Sequence, residues 1–149
     1  MRHALSQSVG VPGLPSGLTA EDLTDWEKMC AIIADSEPWW EPGTKIGYHA
    51  VTWGYVVGEI IRRPSGKPIP QALREEVAEP LGVEGELFFA VPAAEQRRIA
   101  RLEDAPGSEE MFGELPEDSP IFKLGPDLSA VDANRAEVLS ANILAGGTV

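Results

Sequence analysis

The sequence predicts a mainly α fold with a short β element. Apolar residues recur at helical spacing over residues 19–35, 48–63 and 70–82, and each stretch carries helix start or stop signals. Residues 86–91, Glu-Leu-Phe-Phe-Ala-Val, have the composition of a short strand. A chain of 149 residues has the length of one domain, so we expect a single unit over residues 1–149.

The first predicted helix follows a Gly- and Pro-rich loop at residues 6–18 and runs to about Asp35. Thr19 has the character of an N-cap, and Asp22 completes a capping-box variant. The apolar stripe of this helix comprises Leu23, Trp26, Cys30 and Ile33. The helix ends before Pro38, because the residue preceding a proline is disfavoured in the α conformation.

The second predicted helix begins near Tyr48 and continues to Arg63. Gly54 and Gly58 each cost about 1 kcal/mol relative to alanine inside a helix. Their presence therefore indicates close backbone contact with another element on that face. The side chains expected to point outward are Glu59, Arg62 and Arg63. Gly66, after Pro64 and Ser65, stops the helix.

The second half of the chain is less regular. Pro70 opens a third helix that ends before Gly82. The apolar side of that helix is expected to contain Leu73, Val77 and Leu81. Residues 93–102 have helical composition, and a last helix is expected over 132–141. Between them, residues 103–128 form a long irregular connection rich in Pro, Gly and acidic residues.

The composition excludes several classes of partner. The formal net charge of −12 disfavours nucleic acid and anionic membrane surfaces. No apolar run approaches the roughly 20 residues that cross a bilayer, and the first residues lack the apolar core of a secretory signal. With Cys30 alone and only His3 and His49, no metal constellation can be assembled. We therefore expect a soluble cytoplasmic protein with no metal and no cofactor.

Tyr48 and the aromatic loop before it are the candidate site. Tyr48 follows the turn at 42–43 and is either a buried core residue or a proton acceptor. Because an ordinary tyrosine has a pKa near about 10, the second role needs neighbours that favour the phenolate. His49 either tunes Tyr48 or is a capping or surface residue. Trp39 and Trp40 either anchor the loop in the core or line an apolar acyl pocket.

The sequence contains no complete nucleophilic motif. There is no Gly-x-Ser-x-Gly elbow, no serine has a lysine three residues later, and no Lys-Thr-Gly triplet occurs. A pair of carboxylates for glycoside hydrolysis stays open, because Asp and Glu number 24. No two of them are singled out by their positions.

Several stretches together resemble the serine β-lactamase-related esterases, the class C-like serine hydrolases that also include penicillin-recognising enzymes. They are Trp-Glu-Pro-Gly-Thr at 40–44, Gly-Tyr-His-Ala at 47–50, the Gly-spaced helix at 54–63, the segment 76–82 and the tail at 145–147. Residues 6–15 resemble the Ser-His-x-x-Gly-x-Pro stretch of that family, with Gln7 where histidine is usual.

This resemblance implies the helical region of a β-lactamase/transpeptidase-like α/β fold and an acyl-enzyme mechanism. In the family, a Ser-x-x-Lys motif supplies nucleophile and proton relay, a Tyr-x-Asn-type motif supplies a second base, and a Lys-Thr-Gly strand completes the oxyanion hole. Tyr48 matches the motif tyrosine and is the implied catalytic residue. Trp39, Trp40 and His49 are the candidate substrate-binding residues. Ala50 replaces the asparagine, as in the esterase branch, which favours small-molecule esters over lactams.

Two functions follow from the resemblance. The first is an internal part of a larger carboxylesterase, a single partial domain over 1–149 that is inactive alone because the nucleophile is missing. Such a part is expected to self-associate through exposed apolar faces. The alternative is a non-catalytic helical binding or interaction module derived from the same scaffold.

Overall fold

The computed structural model describes residues 1–107, 115–126 and 130–142. Its α-helices are α1 (Arg2–Leu5), α2 (Ala20–Thr24), α3 (Trp26–Asp35), α4 (Thr52–Ser65), α5 (Ile69–Leu73), α6 (Glu79–Leu81), α7 (Ala130–Ala133) and α8 (Ala136–Ser140). A π-helical turn, Arg74–Ala78, joins α5 to α6, and 3-10 turns lie at Gln96–Arg98 and Pro120–Lys123. The described residues contain no strand. The predicted mainly helical fold is confirmed.

The core forms where α3 and α4 pack on each other and on the loop at 6–18. Its buried members are Val11, Leu14, Leu23, Met29, Ile33 and Tyr55. The Tyr55 hydroxyl donates a 2.6 Å hydrogen bond to the Leu23 carbonyl, and the Trp26 ring lies 5.1 Å from the Tyr55 ring. Burial of these apolar groups is the main favourable contribution to folding, and the loop shares in it.

The first predicted helix is divided in two. The Thr19–Asp22 capping box is present as expected and starts α2. Asp25 then leaves the α conformation, with φ −87° and ψ 93°, and its side chain accepts the Lys28 N–H to start α3. One residue thus ends α2 and caps α3, a role that Asp favours because its short carboxylate reaches nearby backbone amides.

The second predicted helix begins at Thr52, four residues later than expected. The Thr52 side chain, which is fully buried, donates a 2.7 Å hydrogen bond to the Val11 carbonyl. Before it, His49 bonds Gln7 and Val11 of the 7–11 segment, while its carbonyl accepts the Trp53 N–H of the helix at 3.2 Å. Gly54 and Gly58 are buried as predicted, and Gly66 ends the helix in the left-handed conformation, with φ 67°.

Glu59 does not point outward as predicted. Its carboxylate accepts the indole N–H of Trp26 at 3.0 Å and also bonds Arg62 and Arg63. The hydrogen bond from Arg62 is the main cause that lowers the pKa of Glu59 to about 2. The bonds from Arg63 and Trp26 lower this pKa further, whereas burial raises it. Glu59 therefore links α4 to α3, which the helical spacing alone could not indicate.

The third helix keeps its predicted limits but not its predicted face. Val77 and Leu81 are 39% and 69% exposed, whereas Ile69 and Ala78 are buried. Pro80 lacks the N–H that a regular α-helix would bond four residues back, and the chain widens into the π turn just before it. A π turn holds more residues than an α turn, so the downstream face rotates.

The strand predicted at 86–91 is not formed. Ala90 adopts the left-handed conformation, with φ 59°, which interrupts an extended run. Residues 93–102 contain only the 3-10 turn at Gln96–Arg98 instead of a helix. The last predicted helix is split into α7 and α8, because Arg135 leaves the α conformation, with φ −68° and ψ 139°. The Asn134 side chain just before it bonds the Leu102 N–H and carbonyl.

The connection predicted over 103–128 is described at 103–107 and 115–126. The described part includes the 3-10 turn, whose Lys123 carbonyl accepts the Leu14 N–H at 2.9 Å. The stretch at 145–147 lies outside the described residues. Among the helices of the described residues, none has the length and apolar character needed to traverse a bilayer.

Tyr55→Phe tests the core hydrogen bond. The substitution leaves the Leu23 carbonyl without its buried partner, which costs about 1–3 kcal/mol. We expect the free energy of unfolding in urea to fall by that amount. Tyr48→Phe makes the same chemical change at an exposed position and should stay within about 0.5 kcal/mol of wild type. Equal losses in the two variants would contradict the assignment.

Candidate active site

The loop at 39–51 carries all four predicted site residues and is fixed to the segment 7–11. Three backbone hydrogen bonds join them: Trp39 N–H to Gly10 O at 2.7 Å, Gly43 N–H to Ser8 O at 2.8 Å, and Gly47 N–H to Gln7 O at 3.2 Å. These hydrogen bonds therefore fix the two segments to each other, although the segments do not form a regular β-ladder. This pairing of distant irregular segments is what places the site.

Two glycines permit the close approach of these segments. Gly10 has φ 96°, and a Cβ there would lie 2.6 Å from the Trp40 carbonyl oxygen. A Cβ at Gly47 would lie 2.5 Å from the Trp40 ring. Side chains at either position would force the loop apart, because backbone and a packed indole cannot easily move aside.

His49 is the buried link between the segments. It is only 2% exposed, and both of its ring nitrogens bond to the backbone of this chain. Nδ1 lies 2.6 Å from the Gly47 carbonyl, and Nε2 lies 3.2 Å from the Val11 N–H. These partners assign a neutral ring that donates from Nδ1 and accepts at Nε2. The Trp40 ring meets the imidazole edge-on at 5.9 Å.

The surroundings of His49 favour the neutral ring. Burial lowers the pKa of His49 below its usual value, and the bond to the Gly47 carbonyl opposes this only in part. A protonated ring would also turn an N–H toward the Val11 N–H, which removes an acceptor and sets two donors against each other. Since both nitrogens are in use, any role of His49 toward a substrate has to act through the loop that it holds.

Tyr48 lies between these fixed points and faces outward. It is 65% exposed, and its hydroxyl has no hydrogen-bond partner among the described residues. It stands in the loop four residues before α4, not at the helix start that the sequence suggested. The buried-core interpretation of Tyr48 is therefore wrong. Lys45, the nearest lysine in the sequence, forms no ion pair within the described part of the chain.

The two tryptophans occupy different places. The Trp40 ring packs on Gly47 and His49, and its indole N–H points to the Ser8 carbonyl at 3.4 Å. The Trp39 ring lies against Gly13 and is 44% exposed. The structure thus brings Trp40 and His49 into contact, with Tyr48 next to His49 in the chain. Trp39 shares their loop but not their packing.

Gln7 contacts the candidate site, and Trp53 joins α4 to α1; sequence reasoning singled out neither contact. The Gln7 side-chain oxygen accepts the His49 N–H at 2.8 Å, and the Trp53 indole donates to the Ala4 carbonyl at 3.0 Å. The sequence held one signal for the first contact. The resemblance covers residues 6–15 and 47–50 jointly, and Gln7 is the position where this chain departs from the family stretch.

Cys30 and Tyr55 are titratable side chains of the core that lie away from the candidate site and line a cavity together with Glu59. Burial raises the pKa of the Cys30 thiol to about 11, with Glu59 adding to the effect, and burial also raises the pKa of Tyr55. A cavity of about 250 Å³ lies between α3 and α4, and its lining includes none of the predicted site residues. Within the described residues, no cluster of His, Cys, Asp or Glu has the arrangement of a metal site.

Comparisons with known proteins identify the family. The Beta-lactamase family model matches residues 1–146, so the chain belongs to the beta-lactamase family. The esterase/beta-lactamase LipL of Mycobacterium tuberculosis is 33% identical over 102 residues, which is 68% of this chain and 23% of LipL. This chain therefore spans about a quarter of that relative's length.

Solved structures agree with this assignment. A family VIII carboxylesterase superposes with a TM-score of 0.77 at 33% identity, covering 95% of this chain and 37% of that enzyme. A penicillin-binding protein homolog from Caulobacter crescentus gives a TM-score of 0.68, also at 33% identity, over 94% of this chain and 38% of its own. The helical arrangement is thus a region of a β-lactamase-like fold, as the resemblance implied.

The neutral, buried state of His49 predicts a pH dependence of stability. The unfolded chain takes up a proton near its ordinary pKa of about 6.5, whereas the folded ring resists protonation. The contribution of His49 is therefore complete above about pH 6.5 and is lost as the pH falls below it, at no more than about 1.4 kcal/mol per pH unit.

We expect urea unfolding between pH 5 and 8 to show this loss in wild type and in His3→Gln. In His49→Gln the slope over that range should disappear, although the variant is less stable throughout. A His49→Gln protein that keeps the wild-type slope would exclude His49 as its source.

Proposed function

We propose that this chain forms the tyrosine-bearing part of a serine carboxylesterase that acts on small-molecule esters through an acyl-enzyme. The observation that carries the proposal is the exposed Tyr48 hydroxyl on a loop whose two flanking residues, Gly47 and His49, are both hydrogen-bonded to Gln7. The Gly-Tyr-His-Ala stretch matches the position of the family's motif tyrosine. The esterase names of LipL and of the family VIII carboxylesterase support the ester class.

In this mechanism a serine outside these 149 residues attacks the ester carbonyl and forms the acyl-enzyme. Tyr48, in its phenolate form, accepts the serine proton and passes it to the oxygen of the leaving alkoxide, which departs as the alcohol, while backbone amides stabilise the oxyanion. Ala50 replaces the asparagine of the lactam-directed motif. Trp39 supplies an exposed apolar surface for the acyl group, and Trp40 supports the loop from behind.

The chain alone lacks the reacting partner of Tyr48. It has no Ser-x-x-Lys motif, so it provides neither the nucleophile nor the ammonium that would favour the phenolate. We therefore propose that the isolated polypeptide is inactive. From its composition alone, we also propose that the protein is located in the cytoplasm. Exposed apolar side chains, including Leu5 at 57% and Ile46 at 79%, suit contact with the rest of the fold.

A non-catalytic binding module is the second candidate. The observation that favours it is the shared core of α3, α4 and the 6–18 loop, which includes fully enclosed side chains such as Met29 and Tyr55. A module predicts a monodisperse protein with a cooperative melt. The esterase part predicts self-association through the exposed apolar residues. Analytical ultracentrifugation distinguishes the two.

Hydrolysis of p-nitrophenyl acetate by the isolated chain tests the missing nucleophile. We expect no saturable turnover, and the same background rate in Tyr48→Phe as in wild type. Saturable turnover that a serine-directed phosphonate abolishes would show that the chain contains a working serine after all.

Tyr48→Phe in a complete enzyme tests the role of the phenol. Residues 1–146 can replace the matching region of the family VIII carboxylesterase to form a hybrid esterase. Removal of a general base lowers kcat by about 10²–10⁴-fold, and KM should change little because the phenol does not contribute to ground-state binding.

Tyr55→Phe is the matched control in the hybrid. It makes the same chemical change in the core, and we expect it to lower stability while leaving kcat near the parent value. A Tyr48→Phe hybrid with the parent kcat would remove Tyr48 from the mechanism.

A further inference from the structure

Gln7 contacts the backbone on both sides of Tyr48. Its carbonyl oxygen accepts the Gly47 N–H at 3.2 Å, and its side-chain Oε1 accepts the His49 N–H at 2.8 Å. One residue thus holds the residue before the tyrosine and the residue after it. Tyr48 itself makes no side-chain hydrogen bond to the described residues.

The backbone of Gln7 is in an uncommon conformation. Its φ of 53° lies in the left-handed region, which a non-glycine residue adopts at a cost. Its N–H bonds the Ala4 carbonyl at 3.2 Å at the end of α1. Such conformations persist where the surrounding contacts over-determine them, and they concentrate at functional sites. Here the surrounding contacts are the ones to the Tyr48 loop.

A second set of bonds closes the loop from the other side. The His49 ring donates to the Gly47 carbonyl at 2.6 Å and accepts the Val11 N–H at 3.2 Å. The two neighbours of Tyr48 are therefore bonded to each other as well as to Gln7. The Tyr48 phenol receives no hydrogen bond from the described residues, although the residues on both sides of it are bonded.

We infer that Gln7 is a positioning residue that holds Tyr48 in place through the peptide units on either side of it. An effect of Gln7 on catalysis rests on the proposed function, whereas the positioning of Tyr48 by these hydrogen bonds does not. In an esterase the proton acceptor has to stay within hydrogen-bond distance of the serine, and a displacement of about 1 Å can cost about 100-fold in rate.

Two substitutions separate the side-chain bond from the backbone conformation. Gln7→Met keeps an unbranched side chain of similar length but removes Oε1. Gln7→Glu keeps a side-chain oxygen that accepts the His49 N–H. Because neither replacement is glycine, both retain the same left-handed backbone requirement. A difference between the two variants therefore arises from the side-chain oxygen and its charge, and not from the backbone conformation.

The test is ¹⁵N relaxation and amide hydrogen exchange on the labelled 149-residue chain. In wild type we expect an order parameter near about 0.85 for the Tyr48 amide, the value of rigid backbone. In Gln7→Met we expect it to fall below about 0.6 and the His49 amide to exchange at least about tenfold faster. Gln7→Glu should restore both, and the Tyr55 amide in α4 should stay unchanged in all three proteins.

Wild-type order at Tyr48 and wild-type protection at His49 in Gln7→Met would overturn the inference. So would a loss of order that includes Tyr55 and that Gln7→Glu does not restore, since Gln7 would then support the fold in general. Neither readout requires turnover. A Tyr48→Phe hybrid esterase that keeps the parent kcat would remove the proposed function, but it would leave the relaxation and hydrogen-exchange results unchanged.

Discussion

The buried imidazole of His49 is the interaction on which the site depends. It joins two irregular segments that are 38 residues apart through the Val11 N–H, and it joins the Tyr48 loop to itself through the Gly47 carbonyl. A neutral imidazole can do this because one nitrogen donates while the other accepts. With the Trp40 ring against its edge, the residue satisfies buried backbone groups that water cannot reach. We infer that the course of the loop, the late start of α4 and the outward position of Tyr48 depend on these hydrogen bonds of His49.

The core and the site are coupled through the same segment of chain. Val11 belongs to the hydrophobic core, its N–H bonds His49, and its carbonyl accepts the buried Thr52 hydroxyl at the start of α4. The packing of α3 against α4, with Glu59 bonding Trp26 and two arginines, therefore supports the loop without contributing a reacting group. This division suits the proposed function, in which the helical region presents Tyr48 to a serine outside these 149 residues.

Features set by neighbouring residues could be predicted from the sequence, and features set by distant contacts could not. The Thr19–Asp22 capping box and the left-handed Gly66 depend on residues within one helical turn, and both were found as expected. Glu59 looked solvated because its partner Trp26 lies 33 residues away. Tyr48 was placed on a helix because the bonds from Gln7 and Val11, which replace helical ones, span about 40 residues. The resemblance singled out Tyr48 as a candidate, whereas its exposure could be seen only in the folded chain.

The central claim is that the exposed Tyr48 phenol meets a serine nucleophile while its loop keeps the bonds to Gln7 and His49. The most direct measurement is a crystal structure of the hybrid esterase with its serine covalently blocked by a phosphonate. The account predicts Tyr48 Oη within about 3.2 Å of the serine Oγ or of the phosphonate oxygen at the leaving-group position, with the 47–49 turn unchanged. A phenol more than about 5 Å from both atoms, beyond any hydrogen bond, would contradict it.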